Sequence, residues 1–300
     1  MTATAPRSRR LLSGLLLLMI IGGVVYEGAD RDPADPTRPL VYSRYGIIVQ
    51  DLPPKTPPLT SEELTVVSFN IHSGKGTDGV TDLNRISKLL EGCNLAGLYE
   101  VRNPVWGKDQ SAQIAELIYS DSWFAATERH WYHEHFGNAL LSRVAVTDVQ
   151  RLPLPGTRGK AFRNAILAYI PWQDQTLKVL AVHIDREQDR ERQLKLVTQL
   201  FQALEAPAIL MGDLNTTIDD PLLQSLRTTP GVQSPLHDTM GDTVPAGTID
   251  WMFTKGLSTV SAELLENEAS DHPALKVRVR LPENSNSQPS TLDPQPVHAE

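Results

Sequence analysis

The sequence predicts an α/β fold in which two β-sheets pack face to face with helices on their outer sides. One observation is a series of apolar segments of strand length, rich in valine, isoleucine and aromatic residues. Another is that helical patterns are few, too few to alternate with every strand as a simple doubly wound sheet requires. A third is that several strands finish in a polar residue, as strands do when their ends face a common crevice.

Taken in order, the strand segments are "LTVVSFNI", "LAGLYEV", "WFAAT", "NALLS", "NAILAYI", "TLKVLAVHI", "PAILMGD", "TIDWMF" and "ALKVRVRL". Between them "DLNRISKLLEG" puts Leu83, Ile86, Leu89 and Leu90 on one helical face, and "SAQIAELIY" and "EQDRERQLKLVTQLFQALE" follow the same period. Together they define a domain over residues 61–280.

Residues 1–27 differ in kind. Arg7, Arg9 and Arg10 precede the uncharged run Leu11 to Tyr26, and Glu27, Asp30 and Asp32 follow it. This is the pattern of an N-terminal membrane anchor or an export signal, with the remaining chain across the membrane. Residues 28–60 carry the proline-rich "DLPPKTPPL" and no clear periodicity, so they are expected to be an extended linker. Residues 281–300 are polar and proline-bearing, the composition of a disordered tail.

The 300 residues are 40% hydrophobic and 21% charged, enough for a sizeable core. A net charge of −8 excludes a strongly basic nucleic-acid binder, so any polyanion contact would fall to a few clustered arginines. The lone cysteine, Cys93, forms no internal disulfide and reads as a small core residue.

The chemistry lies in the polar strand ends. "VVSFNIH" offers Asn70 and His72, "LAGLYEV" Glu100, "LAVHID" His183, "AILMGDLNTTID" Asp213 and Asn215, "TIDWMF" Asp250, and "ASDHPAL" Asp271 and His272. Singly, each is as consistent with a turn or a hydrogen-bonded core group. His130, His133 and His135 cluster before "NALLS" and read as a solvated loop, with substrate binding as the alternative. "HSGKGTDG" lacks the GK[ST] ending of a P-loop and reads as a rim.

With "GNALLSR" and "FRNAI", these motifs over residues 64–280 resemble the endonuclease/exonuclease/phosphatase superfamily of DNase I-like nucleases, sphingomyelinases and inositol polyphosphate phosphatases. The resemblance implies a four-layer α/β/β/α sandwich of two mixed sheets. It also implies a hydrolase acting on phosphoric ester bonds with Mg²⁺ or Mn²⁺. Carried over by position, Glu100, Asn70 and Asp271 are the metal-site residues. Asp213, Asn215, His183, Asp250 and His272 are the catalytic set, with Asp213 on the attacking water. Arg163 and Asn138 are the substrate-binding residues. Oxygen donors of this kind suit a hard cation, and no cysteine cluster or H-E-x-x-H motif speaks for zinc.

One departure stands out: Tyr99 precedes Glu100 where the family commonly has glutamine. The expected substrate is a phosphodiester of nucleic acid or a lipid headgroup, and no protein partner is predicted. The alternatives are a phosphomonoesterase acting on phosphoinositide-like substrates and an inactive, membrane-tethered binding protein on the same fold.

Overall fold

The structure is a computed structural model and describes residues 14, 17, 19, 31–45, 47–48, 58–130, 133–156 and 163–282. In chain order the strands are β1 (Arg31–Pro33), β2 (Val41–Arg44), β3 (Ile47–Ile48), β4 (Glu63–Asn70), β5 (Leu95–Arg102), β6 (Asp121–His130), β7 (His133–Ser142) and β8 (Asp148–Pro153). They continue with β9 (Asn164–Trp172), β10 (Gln175–His183), β11 (Ala208–Asp213), β12 (Val232–Gln233), β13 (Asp250–Lys255), β14 (Ser258–Leu265) and β15 (Ala274–Arg280).

They form two mixed sheets. The first runs β14-β15-β4-β5-β7-β6-β2-β3, with β1 also on β6, and the second runs β12-β13-β11-β10-β9-β8. The pairs β4–β5 and β10–β11 are parallel, one in each sheet.

Alternation along the strands builds the layers. On β4, Leu64 and Val66 enter the core shared with the second sheet, whereas Val67 and Phe69 join a separate cluster with Ile86, Leu90, Ile114 and Ile118. Those last four come from or flank the helices Leu83–Leu89 and Gln110–Ile118, capped by Asp82 and Asp109. The helices Arg190–Ala203 and Pro221–Arg227 put Leu194, Val197, Phe201, Leu223 and Leu226 against the second sheet. The result is the expected α/β/β/α order, with Cys93 buried in the first helix layer.

The linker expectation needs correction. Within residues 28–60, β1, β2 and β3 pair along the edge of the first sheet, Ala34 is buried, and Leu59 bridges to Trp172. Strands this short contribute backbone hydrogen bonds without an apolar run, so periodicity does not register them. The strands β8 and β14 also went unpredicted, because both lie on sheet edges with mixed, half-exposed side chains. The apolar run 11–26 lies outside the described residues except at Gly14, Leu17 and Met19, and the tail beyond residue 282 lies outside them as well. Among the described residues no helix is long and apolar enough to cross a membrane.

Candidate active site

Strand register places the polar ends on one sandwich edge. In the parallel pair β10–β11, His183 is the partner of Asp213, and in the antiparallel pair β11–β13, Asp213 is the partner of Asp250. A histidine and two carboxylates thus form a row across three adjacent strands, where directly opposed Cβ atoms sit about 4.5–5.5 Å apart. Gly212 makes this approach possible, since a Cβ there would run into the carbonyl oxygen of Val182.

The first sheet meets that row from the other side. Asn70, at the end of β4, donates from Nδ2 to Asp213 Oδ2 at 3.0 Å and to Glu100 Oε1 at 3.2 Å. Its Oδ1 accepts from the His72 amide at 3.1 Å, so Asn70 spans the sheets and holds two carboxylates with its amide nitrogen. The sequence placed Asn70 among the metal-site residues, and its amide nitrogen holds Glu100, another of that set.

Glu100 owes its position to a bulge. The β5–β7 register slips between Leu98 and Val101, and Glu100 takes φ 58°. Tyr99 stays on the inter-sheet side and Val101 joins the helix-side cluster, leaving Glu100 half-buried and turned into the cleft. A left-handed glutamate costs on the order of 1–3 kcal/mol, strain typical of functional positions.

Tyr99 itself is fully buried. Its hydroxyl donates to the Met211 carbonyl at 3.1 Å and receives a 3.4 Å contact from Ser68. The tyrosine is therefore a core link between the sheets and not a defect beside Glu100.

His272 donates from Nδ1 to Asp250 Oδ2 at 2.6 Å, leaving Nε2 4.0 Å from Asp213 Oδ2. Burial pulls the imidazolium down, but the hydrogen bond and charge of Asp250, then the charges of Asp213 and Asp271, outweigh it and lift His272 to about 9. Burial, then the Asp250 charge, push Asp213 up to about 7. His183 stands 3.4 Å from Asp213, and its own burial, followed by the charges of Arg163 and His272, holds it well below the usual histidine range, hence neutral.

Asn215, at φ 47°, donates its backbone N–H to Asp213 Oδ1 at 3.0 Å, while its side chain donates to the Ile184 carbonyl at 2.9 Å. It orients the carboxylate through its backbone.

These groups surround a cleft of about 450 Å³ lined by Glu100, Arg163, His183, Asp213, Asn215, Asp271 and His272 among others. Asn138 is not among them: it is buried and donates to the Asn164 carbonyl at 3.4 Å, tying β7 to β9 across the sandwich. Asn138, expected from the sequence to bind substrate, makes this inter-sheet bridge with its side chain.

Residues the sequence did not single out also contribute. Arg186 lines the cleft from an irregular polar stretch that carries no motif. Ser270 donates to the Asn70 carbonyl at 2.7 Å and holds the Asp271–His272 loop to β4.

Among the described residues of the cleft, two acidic groupings are available to a cation. Asp213, Asp250 and His272 converge within 4.8 Å, but His272 Nδ1 is committed to Asp250, which favours a proton relay there. Glu100 and Asp271 both face the cleft and offer oxygen donors of the kind hard divalent ions take.

A two-sheet sandwich with carboxylates, histidines and arginines converging on one edge cleft defines a phosphoester-hydrolase class of fold and site. Residues 67–272 match the Endonuclease/Exonuclease/phosphatase family, and the chain belongs to it. Among solved structures it is similar to an endonuclease/exonuclease/phosphatase from Beutenbergia cavernae DSM 12333 (24% identity, TM-score 0.61, covering 74% of this chain and 72% of that one). It is similar as well to humanized TDP2 from D. rerio (18%, 0.55, 73% and 100%) and to the human Nocturnin catalytic domain with bound sulfate (16%, 0.55, 81% and 98%). At these identities the likeness carries the fold alone. No curated protein matches the sequence.

Proposed function

We propose that the chain is a divalent-metal-dependent phosphodiesterase that hydrolyses its ester by attack of an activated water. The observation that supports this reading above all is the His183–Asp213–Asp250 row with His272 hydrogen-bonded behind it.

Asp213, lifted to about 7, accepts the proton of the attacking water, and the Asn70 and Asn215 N–H groups fix its two oxygens. His272, held as a cation by Asp250, and neutral His183 present N–H groups to the phosphoryl oxygens. Arg163 and Arg186 supply positive charge on the cleft wall in an otherwise acidic chain. Mg²⁺ or Mn²⁺ bound by Glu100 and Asp271 would polarise the phosphoryl group and stabilise the leaving oxygen.

A phosphodiester of nucleic acid or of a lipid headgroup is the proposed substrate. The likeness to the human Nocturnin catalytic domain with bound sulfate and to D. rerio TDP2 complexed with single-strand DNA product supports an anionic, nucleic-acid-like substrate. The basic-flanked apolar run over residues 11–26 supports an anchored or exported enzyme, a location testable by membrane fractionation and alkaline extraction.

The test of substrate class is a panel of single-strand DNA, RNA, sphingomyelin, phosphatidylinositol and a phosphomonoester, assayed with and without Mg²⁺. Metal-dependent release from one diester class supports the reading. Turnover confined to the phosphomonoester would replace it with the phosphatase alternative.

A further inference from the structure

At the tip of the β6–β7 hairpin, apart from the residues lining the catalytic cleft, Glu128, His130 and His135 bring a carboxylate and two imidazoles together. One donor atom of each lies within 4.8 Å of the others, and the residues are only 7%, 3% and 4% exposed.

The backbone is shaped to produce this meeting. The β6–β7 register slips between Ala126 and Glu128 and again between Glu128 and Arg129, and His135 is skipped in the pairing. Alternation puts Glu128 and His130 on one face of β6, and the second slip brings His135 alongside. The two rings stack with centroids 3.8 Å apart and planes 29° from parallel.

The surroundings hold the cluster in place. The edge strand β1 pairs Pro33 with Glu128 and Arg31 with His130. Asn103 donates its backbone N–H to the His135 carbonyl at 2.7 Å and its side chain to the Glu134 carbonyl at 2.8 Å. A loop expectation for these histidines is thereby overturned: they belong to paired strands, and two of the three are buried. Trp131 and Tyr132, candidates for an apolar rim, lie outside the described residues.

We propose that Glu128, His130 and His135 form a second metal site, for a borderline divalent ion of the zinc class, which pins the hairpin tip to the edge of the first sheet. Two imidazoles and one carboxylate, with a fourth position left to water, are a donor set such ions accept. A hard Mg²⁺ ion prefers oxygen and water, so the two centres would select different metals. Stacked contact disfavours two cationic rings, and neutral imidazole beside carboxylate is the form that binds metal. Ligation at about 2.0–2.1 Å from each nitrogen requires the rings to swing out of their stack and aim at one centre.

The test uses the full-length chain, stripped with chelator and then dialysed against Zn²⁺ in saturating Mg²⁺. Bound zinc should fall by one ion per chain in His130→Gln and in His135→Gln and stay unchanged in Asp271→Asn. Chelation should lower the melting temperature of the wild type to that of His130→Gln. With Co²⁺ in place of zinc, the wild type should show the visible absorption of a low-symmetry four-coordinate centre. That spectrum is decisive even if a histidine variant fails to fold, since its absence overturns the proposal. Zinc retained in full by the folded variants, or lost on Asp271→Asn instead, overturns it equally.

Discussion

Asp250 does two things at once. It faces Asp213 across β11–β13 and holds His272 at 2.6 Å, so its charge raises both groups. If Asp213 works deprotonated and His272 protonated, the rate rises with pH through about 7 and falls through about 9. Asp250→Asn should then move both limbs of the pH–rate profile to lower pH, the alkaline limb by about 1 unit or more. A profile that keeps its alkaline limb in the variant would contradict the pairing. Tyr99 gives a contrasting case, because its hydroxyl ties the sheets together and it is not among the residues that line the cleft. Tyr99→Phe should cost about 1 kcal/mol in a denaturant titration and leave turnover near that of the wild type. Asn70, His183, Asp213 and Asp250 were legible in sequence as a convergent polar set because each ends or begins a strand whose period is plain. Asn215, Asp271 and His272 follow or precede such strands within a few residues. The turn of Glu100 into the cleft was not legible, since it depends on a bulge, nor was the inward aim of Asn138, which depends on the second sheet.

The strands β10 and β11 carry the site by their register, and Gly212 is the residue that lets them close. Gly212→Ala should force the pair apart at the Val182 carbonyl. We expect a loss of about 3 kcal/mol or more of stability and a fall in kcat together, because His183 and Asp213 shift with the strands. Circular dichroism melts and initial rates on the same sample check both. Central strands such as β10 and β11 are long apolar runs and announce themselves. Edge strands do not: β8 and β14 expose one face, and β1 to β3 are too short to show a period. The histidines on the β6–β7 hairpin were misread as a loop for a related reason, since polar residues buried by bulged pairing carry no apolar signal.

On the scale of the whole molecule, the sandwich extends beyond the stretch its central strands define. The strands β1 to β3 cover the outer edge of β6, and Ala34 and Leu59 pack into the two cores. A chain starting at residue 61 should melt several degrees below one starting at residue 31, at roughly 2–4 °C per kcal/mol for a domain of this size. Equal melting temperatures would mean that the edge strands add nothing. The two cores meet where Asn70 reaches from one sheet to Asp213 in the other, so the site exists only while the sheets stay packed.

The central claim, that this edge cleft hydrolyses phosphodiesters with Asp213 as the proton acceptor, is tested most directly by turnover of an aryl phosphodiester in Mg²⁺. The wild type is compared with Asp213→Asn, both verified as folded. The account predicts metal-dependent turnover that falls by roughly 10²–10⁴-fold in the variant. Equal turnover in the two chains would contradict it.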